Sequence, residues 1–233
     1  EEDLSVAFER HATSKIRDET ELTRIETLGF RGEALASIAA VSRVEARSKP
    51  ADAEVGFQLQ IQGGEVLKFE PTAMNRGTHI TVKDLFFNTP ARRKFLKGRQ
   101  TEYRHILDTM KRFALGYPGR RFELHHGDYE SLMLPPAELK DRISEIFGAS
   151  YPEHLIEVDE VYHGIEVYGY IGSMELVRKS RGEQFLFLNN RYISDETINY
   201  AIASGYGDML PQGRFPLYIL FLEVDPERVD VNV

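Results

Sequence analysis

Cysteine is absent from the 233 residues. That excludes a disulfide framework and a thiolate metal site, and gives no support to oxidative export. No apolar run approaches the roughly 18 residues that suggest a membrane span. The longest, Leu217 to Leu222, has the length of a buried strand. No signal-peptide pattern opens the chain, so a cytoplasmic protein with no membrane partner is expected. A Walker A loop, G-x-x-x-x-G-K-[ST], occurs nowhere. The seven histidines show no metal-ligand spacing, and His125-His126 reads as a surface pair at a turn without an acid partner. Positive charge is the minority: 29 Lys and Arg face 37 Asp and Glu, a net charge of −8. Proteins that coat nucleic acid are usually basic. Any DNA contact must therefore use a local basic face, and its affinity must fall with salt as released counterions compete.

The remaining composition, 42% hydrophobic and 28% charged, is that of a globular chain, long enough for one large domain or two modest ones. Asp3 to His11 places Leu4, Ala7, Phe8 and His11 on one helical face. Ala12 to Asp18 is polar and loop-like, Thr20 to Leu28 is a helix stopped by Gly29, and Glu33 to Ala40 is a second helix. Val55, Phe57, Leu59 and Ile61 then alternate as a strand. Gly63-Gly64 makes a hairpin turn and Glu65 to Glu70 returns. Thr78 to Asp84 alternates with Ile80 and Val82 inward. Thr89-Pro90 caps a helix over Ala91 to Leu96, anchored by Phe95 and Leu96. Ile106, Met110, Phe113 and Ala114 form an amphipathic stripe, and Arg121 to Leu134 is a hairpin turning at His126-Gly127. Pro135-Pro136 interrupts helix and sheet alike and is the expected domain boundary. Beyond it come a helical stripe at Leu139, Ile143, Ile146 and Phe147, and an alternating strand at Ile165 to Ile171. Two near-continuous apolar runs, Phe185–Leu188 and Leu217–Leu222, suit strands covered on both faces, with a helix at Asp195–Tyr206 between them. The fold class is α+β in two domains, with the ends of the chain lying inside elements.

Gly29-Phe30-Arg31-Gly32-Glu33 sets two glycines before a helix. Glycine lets another group approach the main chain closely, and the first helical turn presents unpaired N–H groups at the positive end of a dipole. Such a junction can bind phosphate, although a plain glycine-capped helix junction is the commoner use of such a turn. His11-Ala12-Thr13-Ser14-Lys15 and Arg76-Gly77-Thr78 add hydroxyls and cations, each of which a solvated turn or strand propensity explains equally well.

Taken together, His11 to Ile16 (HATSKI), Leu28 to Ser37 (LGFRGEALAS), Asp84 to Leu96 (DLFFNTPARRKFL) and Val229 to Val233 (VDVNV) resemble, in order, the signatures of the MutL DNA mismatch-repair family within the GHKL superfamily. The resemblance runs from end to end. It implies part of a GHKL (Bergerat) α/β sandwich over residues 1–134, followed by a ribosomal-protein-like α/β transducer domain over 135–233. It also implies an ATP-switched mediator of mismatch repair that clasps a second copy of itself, binds DNA, and couples a mismatch-recognition protein of the MutS type to a downstream endonuclease and helicase. The lid over the triphosphate would comprise Thr13 and Lys15 with Gly29, Phe30, Arg31, Gly32, Glu33, Ala34 and Leu35, and Thr78 would lie on the nucleotide side of the sheet. The family's general-base glutamate, its Mg2+-ligating asparagine and its adenine-reading motif would precede this sequence. A γ-phosphate lysine would follow it. The resemblance therefore assigns no catalytic residue and no metal ligand here, and this portion alone is expected not to hydrolyse ATP.

The basic residues offered to DNA are Arg92, Arg93, Lys94, Lys97, Arg99, Lys111, Arg112, Arg120 and Arg121. The preferred group is Arg178, Lys179 and Arg181, on a loop-like Ser/Gly background, with Arg191. Contacts there would be mostly to phosphate. Asn189-Asn190-Arg191 resembles the family's Asn-Gly-Arg turn with asparagine for glycine, and asparagine tolerates the left-handed conformation. Two other readings stand beside the first. One is a topoisomerase-type GHKL ATPase, whose lid usually reads Gly-x-His-Gly-Val-Gly, unlike GFRGEAL. The other is an interaction module without turnover.

Overall fold

The computed structural model describes residues 2–14, 29, 32–127 and 129–229. Lys15, Phe30, Arg31, the helix expected over Thr20–Leu28 and the residues 230–233 lie outside this set. The chain divides into two compact units, Glu1–Gly98 and Arg99–Val233.

The first unit opens with α1 (Glu2–Val6) and α2 (Ala34–Ala39). Four strands come next, β1 (Arg43–Lys49), β2 (Gly56–Gln62), β3 (Glu65–Thr72) and β4 (Gly77–Lys83), and then a single turn, α3 (Pro90–Arg93). The strands form an antiparallel sheet in the order β3-β2-β1-β4. Alternation puts Val44 and Ala46 of β1, Leu59 and Ile61 of β2, and Ile80 and Val82 of β4 on one face, since Val44 pairs with Ile61 and Val82, and Ala46 with Leu59 and Ile80. Ala39 of α2, with Leu4 and Phe8, packs on the buried part of that face. The opposite face carries charge, with Arg47 meeting Glu45 at 2.6 Å and Lys68 meeting Glu70 at 2.5 Å.

Several expectations in this unit need amending. Ile80 and Val82 face the apolar side but each remains 43% exposed, because β4 is an edge strand beyond the reach of α1 and α2. Val55 precedes its strand and is exposed. The helix over Ala91–Leu96 is only the turn Pro90–Arg93. Thr89 makes no side-chain cap, and Phe95, 80% exposed, anchors nothing within the described residues. A run of Arg92, Arg93 and Lys94 offers no apolar stripe to hold a longer helix. Strand β1 was not foreseen, since it presents only Val44 and a small Ala46 among charged residues.

The second unit comprises α4 (Arg99–Gly116), the hairpin β5 (Phe122–His126) and β6 (Tyr129–Leu134), and α5 (Leu139–Phe147). Strands β7 (Leu155–Tyr162), β8 (Ile165–Gly172), β9 (Gln184–Leu188) and β10 (Arg191–Ile193) come next, then α6 (Glu196–Gly205) and β11 (Tyr218–Val224). The five-stranded sheet runs β10-β9-β11-β8-β7, with β9 and β11 parallel and the other pairs antiparallel. The central strands are covered on both sides, which is why their sequences are continuously apolar. Phe185, Phe187, Ile219 and Phe221 meet Leu115 of α4 and Ile143 of α5. Leu186, Tyr218 and Leu220 meet Ile198 and Ile202 of α6. Asp195 caps α6 by accepting from the Ile198 N–H at 2.8 Å.

The units separate at Gly98/Arg99, whereas the prolines suggested residue 134. Two features attach 99–134 to the rest of the second unit. Leu115 of α4 is fully buried in the second core. Arg142 of α5, also fully buried, donates from Nη2 to the carbonyls of Pro118 (2.8 Å), Arg120 (2.9 Å) and Pro135 (2.5 Å), while Nη1 lies 3.3 Å from Glu145. Burial pushes this guanidinium below its usual pKa, and Glu145 opposes the shift. A charged residue inside an apolar helical stripe is illegible as a tether until its carbonyl partners are placed. The expected Asn189-Asn190 turn is present: both residues are left-handed, at φ 46° and 64°, as a two-residue hairpin of primed type demands. The Asn189 side chain also pairs with the Val224 backbone, accepting from N–H at 2.9 Å and donating to C=O at 2.8 Å.

Candidate functional site

Gly32 sits at φ +62°, and a Cβ placed there would stand 2.3 Å from the Ala12 carbonyl oxygen and 2.9 Å from the His11 carbonyl carbon. The backbones at Gly32 and at His11–Ala12 are therefore in direct contact, and only glycine permits the approach. His11, itself left-handed at φ +64°, reaches Glu33 with Nδ1 3.8 Å from Oε1. With side chains 78% and 52% exposed, that contact is a weak one. Glu33 is the N-cap of α2, yet its side chain makes no capping hydrogen bond. Ala34 and Leu35 thus begin a helix that receives no capping bond from the Glu33 side chain.

The far end of α2 is tied down more firmly. The buried Ser42 hydroxyl donates to Ile38 O at 2.6 Å, and Ser42 O accepts from Gly63 N–H at the β2–β3 turn at 3.0 Å. Asn88 donates through its side chain to Ala40 O at 2.9 Å, and Phe86 N–H to Val41 O at 2.7 Å. Phe86 is left-handed at φ +65°, a strained conformation for a bulky residue, held by that bond. Arg43 pairs with Asp84 at 3.1 Å and lies 5.4 Å over the Phe87 ring. The Asp84–Asn88 segment thus fixes the exit of α2, a role that the sequence did not reveal.

Of the residues expected at the site, the structure brings Gly32 and Glu33 against the loop that carries Thr13. Gly29 is described as irregular backbone, and Lys15, Phe30 and Arg31 lie outside the described residues. Thr78 is on β4, its hydroxyl 2.9 Å from that of Ser48, on the same side of the sheet as Ile80. Among the described residues no cluster of His, Asp or Glu could hold a metal ion.

The DNA candidates in the second unit are not equivalent. Arg178 is engaged internally: Nε meets Glu183 at 3.0 Å, Nη2 donates to the Tyr151 hydroxyl at 2.7 Å, and Nη1 to Glu175 O at 3.2 Å. The Tyr151 hydroxyl bond, foremost, keeps its pKa above the usual value. Lys179 and Arg181 are exposed, Arg181 lying 5.0 Å over Phe215, while Arg191 is half-buried. His125, read as lacking an acid partner, is 3.5 Å from Glu123, and His126 stacks on Tyr103 at 4.4 Å. Glu123 bonds chiefly to Arg121 and then to His125, which hold its carboxyl below the usual range.

These features define a class before a family. The fold is that of the GHKL ATPase domains. It matches the Aquifex aeolicus MutL ATPase domain complexed with ADP at TM-score 0.67 and 28% identity, over 90% of this chain and 76% of that one. The 43K ATPase domain of Thermus thermophilus gyrase B matches at TM-score 0.50 and 10% identity, over 83% and 58%, a likeness of fold alone. Residues 143–233 match the family model for the C-terminal domain of DNA mismatch repair protein. A MutL protein from Christiangramia forsetii is 43% identical over 231 residues, 99% of this chain and 37% of the relative. The chain belongs to the MutL family of DNA mismatch repair proteins. It spans little more than a third of the length of the curated relatives it matches.

Proposed function

We propose that this chain is the lid and transducer portion of an ATP-switched mismatch-repair mediator. The observation that carries the reading is the backbone contact of Gly32 with His11–Ala12, which joins the two loops whose sequences resemble the family's lid. The close approach at Gly32, and a Glu33 side chain that does not cap α2, suit a phosphate group, which needs N–H donors unobstructed by side chains. Thr13, Lys15 and the Gly29–Leu35 loop would hold the triphosphate, with Thr78 on the sheet beside it. ATP supplies the charge whose removal reopens the lid, an order–disorder switch of known type. Magnesium would be held by residues other than the described ones. The neighbour solved with ADP supports a nucleotide site in this fold.

The same reading extends to the whole protein. ATP closure would clasp two copies, and the clasped pair would engage DNA, a MutS-type recognition protein, and a downstream endonuclease and helicase, in the cytoplasm. No described helix is long and apolar enough to cross a membrane. On the second unit Lys179 and Arg181 are the residues proposed for DNA phosphate, with Arg178 and Arg191 the other members of the group that the sequence offers. The test is ATP hydrolysis by the full-length protein. Lys15→Ala and Arg31→Glu should each lower kcat/KM at least tenfold, and unchanged turnover in both would refute the lid.

A further inference from the structure

Strand β7 ends the five-stranded sheet, and nothing among the described residues pairs with its outer edge. Such edges are ordinarily blunted by charged side chains, proline or a bulge. β7 has carboxylates, which repel a like-charged strand and admit a basic one, but neither proline, lysine nor a bulge: Leu155–Tyr162 reads LIEVDEVY and pairs with β8 in unbroken register, whereas the pairings β2–β3 and β5–β6 each contain a shift. The hairpin closes through His163 and Gly164, both at positive φ (49° and 76°), a two-residue turn that makes Tyr162 and Ile165 a hydrogen-bonded pair. Antiparallel pairing alternates, so the N–H and C=O groups of Val161, Asp159 and Glu157 point away from β8. Alongside these free backbone groups, Val161 and Tyr162 are 71% and 72% exposed. The carboxylates of Glu157, Asp159 and Glu160 form no ion pair among the described residues.

We propose that the β7 edge is a docking site for an extended basic segment of a partner protein, added to the sheet as a sixth strand. Main-chain bonds to Glu157, Asp159 and Val161 would set its register, as in other strand-addition complexes. Lysine or arginine would lie opposite the three carboxylates, and apolar side chains opposite Val161 and Tyr162. Charge disfavours the simplest rival, a second copy of this chain: antiparallel pairing of β7 with itself centred on Asp159 sets the two Asp159 carboxylates directly opposite, which is destabilising.

The experiment is fluorescence anisotropy of the full chain with a labelled, end-blocked octapeptide, Val-Ile-Lys-Lys-Val-Lys-Val-Thr, and with its counterpart bearing Glu for Lys. The basic peptide should bind saturably and the acidic one should not. Asp159→Pro removes an outward N–H and spares the β8 ladder, and should weaken binding at least tenfold. The pair Glu157→Lys and Asp159→Lys should weaken the basic peptide equally and confer binding of the acidic one, a gain that a misfolded chain cannot show. Circular dichroism accompanies each variant. Absence of binding overturns the proposal. So does binding indifferent to Asp159→Pro in a folded chain and lost only with salt, which marks unspecific attraction. A chain dimer dispersed by Asp159→Pro would assign the edge to a second copy instead.

Discussion

Gly32→Ala places one methyl group where the two candidate lid loops touch. The new Cβ would stand 2.3 Å from the Ala12 carbonyl oxygen and 2.7 Å from its carbon, so backbone must retreat by about 1 Å to restore ordinary contact. The obstacle is main chain on both sides, and no flexible side chain can swing away. Overpacking of this kind costs roughly 1–3 kcal/mol. Alanine at φ +62° adds about 1–2 kcal/mol, because its Cβ crowds the carbonyl in the left-handed region. The joined arrangement of the loops is thus disfavoured by about 2–5 kcal/mol. If nucleotide binds only that arrangement, affinity falls at least about 30-fold at 1.4 kcal/mol per decade. The assay is calorimetric titration of a non-hydrolysable ATP analogue into full-length protein. Gly205→Ala serves as control, since a Cβ there meets nothing within 4 Å. Affinity within threefold of the wild type, in a folded Gly32→Ala protein, would refute the assignment of the loop contact to nucleotide binding.

Other outcomes concern the second unit. Arg142→Met should destabilise it by about 2–4 kcal/mol, since three carbonyls lose a charged donor; Arg120 and Pro135 are exposed enough for water to offset part of the loss. Thermal unfolding should show Tm lower by roughly 5–15 °C, and a shift under 3 °C would contradict the tether. Tyr206 and Tyr218, buried and with pKa values pushed up to about 12, keep their protons in the folded state while unfolded tyrosine loses its own near pH 10. Their contribution is complete below pH 10 and declines as pH rises toward 12, at about 1.4 kcal/mol per pH unit for each. Urea titrations between those values should show a shallower decline in Tyr206→Phe, and an equal decline would exclude that residue. For DNA, Lys179→Glu with Arg181→Glu should weaken binding and flatten its salt dependence without altering Tm. Arg178→Glu should lower Tm as well, through loss of the Tyr151 and Glu183 contacts.

Much of the architecture could be read from periodicity. The β2–β3 hairpin, α4, α5, α6 and the apolar central strands β9 and β11 were expected, and local pattern suffices for them because each buries a face of fixed period. Strands β1 and β7 were missed for a common reason. The small Ala46 and the charged neighbours of Val44 hide a central strand, and Glu157, Asp159 and Glu160 interrupt an edge on which only Leu155 and Val158 pack against the two cores. The turn α3 was overextended because proline and threonine signal where a helix starts, not how far packing will carry it.

By itself the sequence determined the family and the site's vocabulary: four motifs in order, a glycine before a helix, and asparagines able to take left-handed angles at a hairpin. These depend on residue identity and short spacing, which need no partner to be recognised. The tertiary structure alone decided that Gly32 touches Ala12, that Asp84–Asn88 holds the exit of α2, that Arg142 binds the chain before and after the β5–β6 hairpin, and that Arg178 is committed to Tyr151 and Glu183 while Lys179 and Arg181 remain exposed. Each is a meeting of residues distant in sequence. Whether a guanidinium serves as tether or as surface charge is set by the acceptors that folding brings within 3 Å of it.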